Sequence, residues 1–112
     1  MSQQPGKPRA LVGNPADEEQ VAKGGKADEM RRRQELSDLE WVLNDRRGRR
    51  VLWRLMEKSG AFAAVWDPNA AQMGRKAAWQ ELGQYIKDEV VEAKSEAFLQ
   101  MLQEQIKENS NA

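Results

Sequence analysis

Asp45-Arg46-Arg47-Gly48-Arg49-Arg50-Val51-Leu52-Trp53-Arg54-Leu55-Met56-Glu57-Lys58-Ser59-Gly60 is the stretch whose reading decides the fold class. Asp45 belongs to the residue types that cap helix N-termini, because its carboxylate accepts hydrogen bonds from backbone N–H groups that the first turn leaves free. Val51, Leu52, Leu55 and Met56 then recur at i, i+1, i+4 and i+5, which is one apolar stripe of a helix. Gly60 stands where a left-handed stop residue is expected. The pattern predicts an amphipathic helix bounded by Asp45 and Gly60.

The neighbouring segments follow the same period. Upstream, Leu36, Leu39 and Leu43, widened by Trp41 and Val42, predict a helix starting near Glu35 that Asn44-Asp45 interrupts. Downstream, Phe62, Val65 and Trp66 form an apolar loop able to fold back, and Asp67-Pro68-Asn69 reads as a turn and N-cap. A third helix is expected from about Ala70 to Val90, with Met73, Trp79, Leu82, Ile86 and Val90 on one broad face. Gly83 lies in that face and marks a place where a neighbouring helix crosses closely. Phe98, Met101, Leu102 and Ile106 give a fourth helix, capped by Ser95, whose continuity with the third is open at this level. No strand-like alternation occurs, so the expected fold is all-α, a small bundle of three to four helices. The expected core is Leu39, Leu43, Leu52, Leu55, Met56, Trp79, Leu82, Ile86, Phe98 and Leu102, with Trp41 and Trp53 in it or at its rim.

The ends are poorer in apolar residues. Residues 1 to about 15 carry Pro5, Pro8 and Pro15 and offer only Leu11 and Val12 for burial, which predicts a flexible arm. Residues 17–34 favour helix but contain Gly24-Gly25, each costing about 1 kcal/mol relative to Ala. The expected organisation is therefore an arm over 1–34, flexible or marginally helical, a helical domain over 35–108, and a disordered tail over 109–112.

At 112 residues the chain has room for one core. Apolar residues make up 39% and charged residues 32%, and 18 Lys and Arg balance 18 Asp and Glu, which fits a polar folded body. No run approaches the roughly 20 apolar residues of a membrane span. The start MSQQPGKPRA lacks the apolar stretch of a signal peptide, so residence in the cytoplasm or in assemblies built there is expected. There is no Cys and no His, which removes thiol nucleophiles, most zinc sites and the commonest general base. No phosphate loop, dinucleotide fingerprint or calcium loop is present. The composition argues against an enzyme, and no site for a metal or cofactor is expected.

Charge is unevenly laid out. Residues 46–58 hold Arg46, Arg47, Arg49, Arg50, Arg54 and Lys58 against Glu57 alone, whereas residues 81–112 hold Lys87, Lys94 and Lys107 against seven carboxylates. Three roles suit the basic cluster: a solvated helix face screened by Asp38, Glu40 and Asp45, a surface for an acidic protein, or a contact with nucleic acid phosphates. The equal overall charge weighs against the third. Trp53 is offset from the Leu52, Leu55 and Met56 stripe, toward Arg46, Arg49, Arg50 and Arg54, where it would be an aromatic anchor ringed by guanidinium groups. The basic run Arg31 to Arg33 lies among Asp28, Glu29 and Glu35, which predicts i,i+4 ion pairs.

The segment Asp38-Leu39-Glu40-Trp41-Val42-Leu43, followed by Arg47-Gly48-Arg49-Arg50-Val51-Leu52-Trp53-Arg54-Leu55-Met56-Glu57, resembles a family of small structural proteins encoded among the head genes of tailed bacteriophages, mostly short-tailed ones. The likeness continues through Gly60-Ala61-Phe62 to a Gly-Arg pair, Gly74-Arg75, and an apolar segment from Phe98 to Ile106. It departs from the family at Lys76, where a second Arg is usual, and at Met73, where an aromatic residue is usual. The resemblance implies a virion-associated protein without enzymatic activity, assembled in the host cytoplasm. With it, Arg46, Arg47, Arg49, Arg50, Trp53, Arg54 and Arg75 are the expected partner-binding residues. The expected partner is a larger phage structural protein, whether portal, capsid or internal virion protein; self-association and nucleic acid are further options, and a membrane is not.

Overall fold

The computed structural model describes residues 15–111, and expectations for the arm before Pro15 and for Ala112 lie outside them. Among the described residues there are four helices and no strand: α1 over Pro15–Leu43, α2 over Arg46–Ser59, α3 over Ala70–Ala93 and α4 over Ser95–Asn111. The fold is a small all-α bundle, and no helix among the described residues is long and apolar enough to cross a membrane. The chain divides into two units, Met1–Glu35 and Leu36–Ala112.

In the first unit, α1 opens on a proline, whose fixed φ suits a first helical position, and carries Asp17 and Glu18 where the helix dipole favours negative charge. The expected ion pairs form at i,i+3 spacing: Arg31 to Asp28 at 3.1 Å and Arg32 to Glu35 at 3.2 Å. The helix runs unbroken through Gly24-Gly25 and includes Leu36 to Leu43, so no separate helix starts near Glu35. The glycines weaken it without stopping it, because strong helix formers flank them and no proline follows until Pro68. Val21 and Met30 are exposed.

The core of the second unit consists of Leu43, Trp53, Met56, Ala61, Val90, Ala97 and Met101, with Leu39, Leu52, Ile86, Ala93, Phe98 and Leu102 packed against it. Local chemistry fixes the helix ends. The Asp45 carboxylate accepts from the Arg47 backbone N–H at 2.7 Å. Gly60, at φ 79°, ends α2: its N–H donates to the Glu57 carbonyl and the Ala61 N–H to the Met56 carbonyl, both at 3.0 Å. Asn69 caps α3 by accepting from the Gln72 N–H at 3.0 Å. Lys94, in extended conformation, separates α3 from α4, so the two are distinct helices and Ser95 is a first helical residue rather than a cap. The Lys94 ammonium donates to Asn44 Oδ1 at 2.6 Å. α4 reaches Asn111, so residues 109–111, expected as a disordered tail, are helical.

Gly83 is buried where α3 crosses the end of α2. A Cβ placed there would collide with the Ser59 hydroxyl and lie 3.0 Å from the Ala61 Cβ. The Ser59 hydroxyl is itself committed, donating to the Met56 carbonyl at 2.9 Å. Gly83→Ala is therefore expected to destabilise the bundle by about 1 to 3 kcal/mol through overpacking. Adding Ser59→Gly should recover part of that loss in a urea melt. Equal stability of Gly83→Ala and wild type would show that α2 and α3 do not meet there.

Several side chains depart from the expected core. Trp53, expected in the core or at its rim, is there, 7% exposed and stacked on Phe62 at 4.9 Å between ring centroids with Phe98 tilted against it at 6.2 Å, whereas Leu55, expected in the core, is 46% exposed. The inward stripe of α2 thus runs through Arg49, Trp53 and Met56, with Leu52 beside it, and Val51 and Leu55 fall on the outer flank. An arginine can occupy an inward position because its charge is matched, as described below. Trp41 and Leu82 are exposed as well. Trp79 shares the inward angle of Gly83, Ile86 and Val90 but is 60% exposed, since α2 ends at Gly60 and leaves this turn of α3 uncovered.

Candidate docking surface

The basic helix and the acidic C-terminal helix meet inside the second unit. Arg49 donates to the Glu104 carboxylate from Nε at 3.1 Å and from a terminal nitrogen at 2.7 Å. Its other terminal nitrogen donates at 2.8 Å to the carbonyl of Leu43, the last residue of α1, which no partner within that helix can satisfy. These hydrogen bonds hold the Glu104 carboxyl below its ordinary range, against the opposing effect of burial, with Arg49, Arg46 and Arg50 adding charge attraction. The same contacts raise the pKa of Arg49. Arg46 lies 3.8 Å from Glu108. Arg47 returns to Asp45 at 3.4 Å, and its side-chain and backbone N–H groups lower the Asp45 pKa.

The seven expected partner-binding residues therefore divide. Arg49 and Trp53 are built into the core and its rim, so the exposed aromatic anchor ringed by guanidinium groups does not form on α2. Arg46 and Arg47 remain exposed but are paired within the chain. Arg50, Arg54 and Arg75 are exposed, with no ion pair among the described residues.

At about 100° per residue, the outward face of α2 carries Arg47, Arg50, Arg54 and Lys58, with Val51 among them and Leu55 at the edge. This face is basic with an aliphatic strip. It runs into an open groove of about 560 Å³ beyond the end of α2, lined among others by Lys58, Gly60, Val65, Gln72, Arg75, Lys76 and Trp79. Lys76 is engaged with Asp67 at 3.0 Å, and the Asp67 carboxyl is held low first by the Asn69 backbone N–H and then by Lys76. Arg75, distant in sequence from the cluster on α2, thus shares a groove with Lys58.

Sequence reasoning missed Glu104 and Glu108 as internal counter-charges and the groove beside Trp79. The spacing of Arg49, Trp53 and Met56, at i, i+4 and i+7, held a signal for the true inward face, although an arginine at its head disguised it. No group of carboxylates able to hold a metal ion occurs among the described residues.

Residues 39–103 match the family described as Bbp19-like phage protein, a span that includes the whole of α2 and α3, the groove between them and the start of α4. No curated protein and no solved structure matches the chain. Because the family match covers more than half of the sequence, the chain belongs to the Bbp19-like phage proteins.

Proposed function

We propose that the protein is a non-enzymatic structural or assembly component of the phage virion, put together in the host cytoplasm, that docks onto an acidic surface of a larger head, portal or internal virion protein. The observation that carries this reading is the sorting of the arginines. Arg46, Arg47 and Arg49 are paired within the chain, whereas Arg50 and Arg54, continued by Lys58 and joined by Arg75, stand exposed around Val51 and Leu55 with no ion pair among the described residues. Aliphatic side chains inside a guanidinium-rich face suit a protein surface, where a desolvated apolar centre contributes affinity and a charged rim sets orientation.

Replacing Arg50 and Arg54 together by Glu is expected to leave the helicity of the purified protein unchanged and to deplete it strongly from purified particles. Arg31→Ala, which breaks the exposed pair with Asp28 in the first unit, should not deplete it. Particles containing the double variant at the normal level would remove the outer face of α2 as the docking surface. The same row of arginines also suits phosphate contacts, which form the competing reading. Affinity for duplex DNA that is high at low salt, falls steeply as salt rises and is lost in the double variant would support that reading instead.

A further inference from the structure

We propose that the groove beyond the end of α2 seats an acidic segment of the docking partner, with a bulky apolar side chain laid against Trp79 and carboxylates facing Lys58 and Arg75. This rests on the docking reading and names what enters the site. Trp79 occupies the inward angle of α3, in line with Gly83, Ile86 and Val90, yet it stands 60% exposed along one side of the groove. A tryptophan on a core-facing stripe without a cover is a ready anchoring surface, since indole rings dominate the energetics of many interfaces. The groove volume of about 560 Å³ lies within the size of clefts that hold ligands of several side chains, roughly 300 to 1,000 Å³.

Its walls are held in place before anything binds. The Gln80 side-chain amide donates to the carbonyls of Gly60 at 3.2 Å and Ala63 at 2.6 Å, fixing the loop after α2 to α3. Lys76 is tied to Asp67 across the turn that precedes α3. Pre-set walls reduce the ordering cost of binding. The charge of the site selects its occupant. Lys58 and Arg75 make no ion pair among the described residues, while Asp67, a nearby carboxylate, is taken by Lys76. Residues 1–14 carry Lys7 and Arg9 and no Asp or Glu, so they have the wrong sign. In α4, Glu104 and Glu108 face Arg49 and Arg46.

Two measurements test the assignment. In fluorescence anisotropy, a fluorescein-labelled peptide Glu-Glu-Leu-Phe-Glu-Asp should bind the full chain. Trp79→Ala and the pair Lys58→Glu with Arg75→Glu should each weaken it about tenfold or more. A counterpart peptide with Lys at every acidic position should not bind. Trp41→Ala, removing a tryptophan that is 77% exposed elsewhere in the second unit, is the control and should bind normally. Absence of binding up to about 1 mM peptide, or equal binding by Trp79→Ala, overturns the assignment. In particles, Trp79→Ala should be depleted like the Arg50→Glu, Arg54→Glu variant. Loss of the arginine variant alone would leave the docking face standing and remove the groove; normal incorporation of both would remove both. Concentration-dependent self-association that Trp79→Ala abolishes would make a second copy the occupant and overturn the assignment to a foreign segment.

Discussion

Trp53→Ala is expected to cost the fold about 3 to 5 kcal/mol, a large share of the roughly 5 to 15 kcal/mol that holds a domain together. The indole is buried between α2, the loop after it and α4, stacked on Phe62 and tilted against Phe98. Removing it opens a cavity beside the two remaining rings, Phe62 and Phe98. Its Nε1 has no hydrogen-bond partner among the described residues, so the loss is one of packing and apolar burial, and Trp53→Phe should be much milder. Leu55→Ala should cost less than about 1 kcal/mol, because its side chain stands on the outer flank of the same helix. Urea melts of the three variants decide the orientation of α2. A Leu55→Ala loss larger than that of Trp53→Ala would mean that the helix is rotated toward its apparent apolar stripe.

Arg49→Ala is the second large effect, expected at about 3 kcal/mol, because it leaves the Glu104 carboxylate at the rim of the core without its counter-charge and the Leu43 carbonyl without a donor. The pair also has a pH signature. The Glu104 carboxyl is lowered in the folded chain, so its contribution is fully present above the ordinary glutamate value of the unfolded chain and is lost as pH falls through the lower folded value. Arg49 is shifted upward, so its contribution is complete below the unfolded arginine value and fades only at extreme alkalinity. Acid titration of unfolding free energy should therefore show wild type losing stability below about pH 4, with Glu104→Gln less stable at pH 7 and flatter toward acid. Identical acid slopes for the two proteins would show that the pair does not form in solution.

The caps of α2 and the start of α3 were readable from the sequence, whereas the start of α1, the Ser95 cap and the facing of the helices were not. Asp45, Gly60 and Asn69 act within a few residues of themselves, so the backbone geometry they impose follows from residue type alone. Gly83 was also legible, because a glycine in an inward stripe has few other uses. Trp53 lies in the core or at its rim as expected, but Leu55 was placed inward and Trp53 also offered as an outward anchor for a physical reason. A stripe drawn through the aliphatic residues excludes arginine, yet Arg49 sits inward because a carboxylate 55 residues later matches it. That partner is not encoded near α2. Trp79 was assigned the right face and the wrong burial, since a helix's inward angle is a local property and its cover depends on where another helix stops. The candidate site changed accordingly, from an aromatic-centred patch on α2 to a basic face that leads into a groove beside α3.

Arg49 also sets an order of events for a chain made from its N-terminus. Its guanidinium joins the end of α1 to α4, so a nascent chain that has not yet reached Glu104 holds a cation on the inward side of α2 without the carboxylate that pairs with it. Closing the earlier helices at that stage would desolvate an unmatched charge. α4 is thus the helix that permits the end of α1 and α2 to settle against each other.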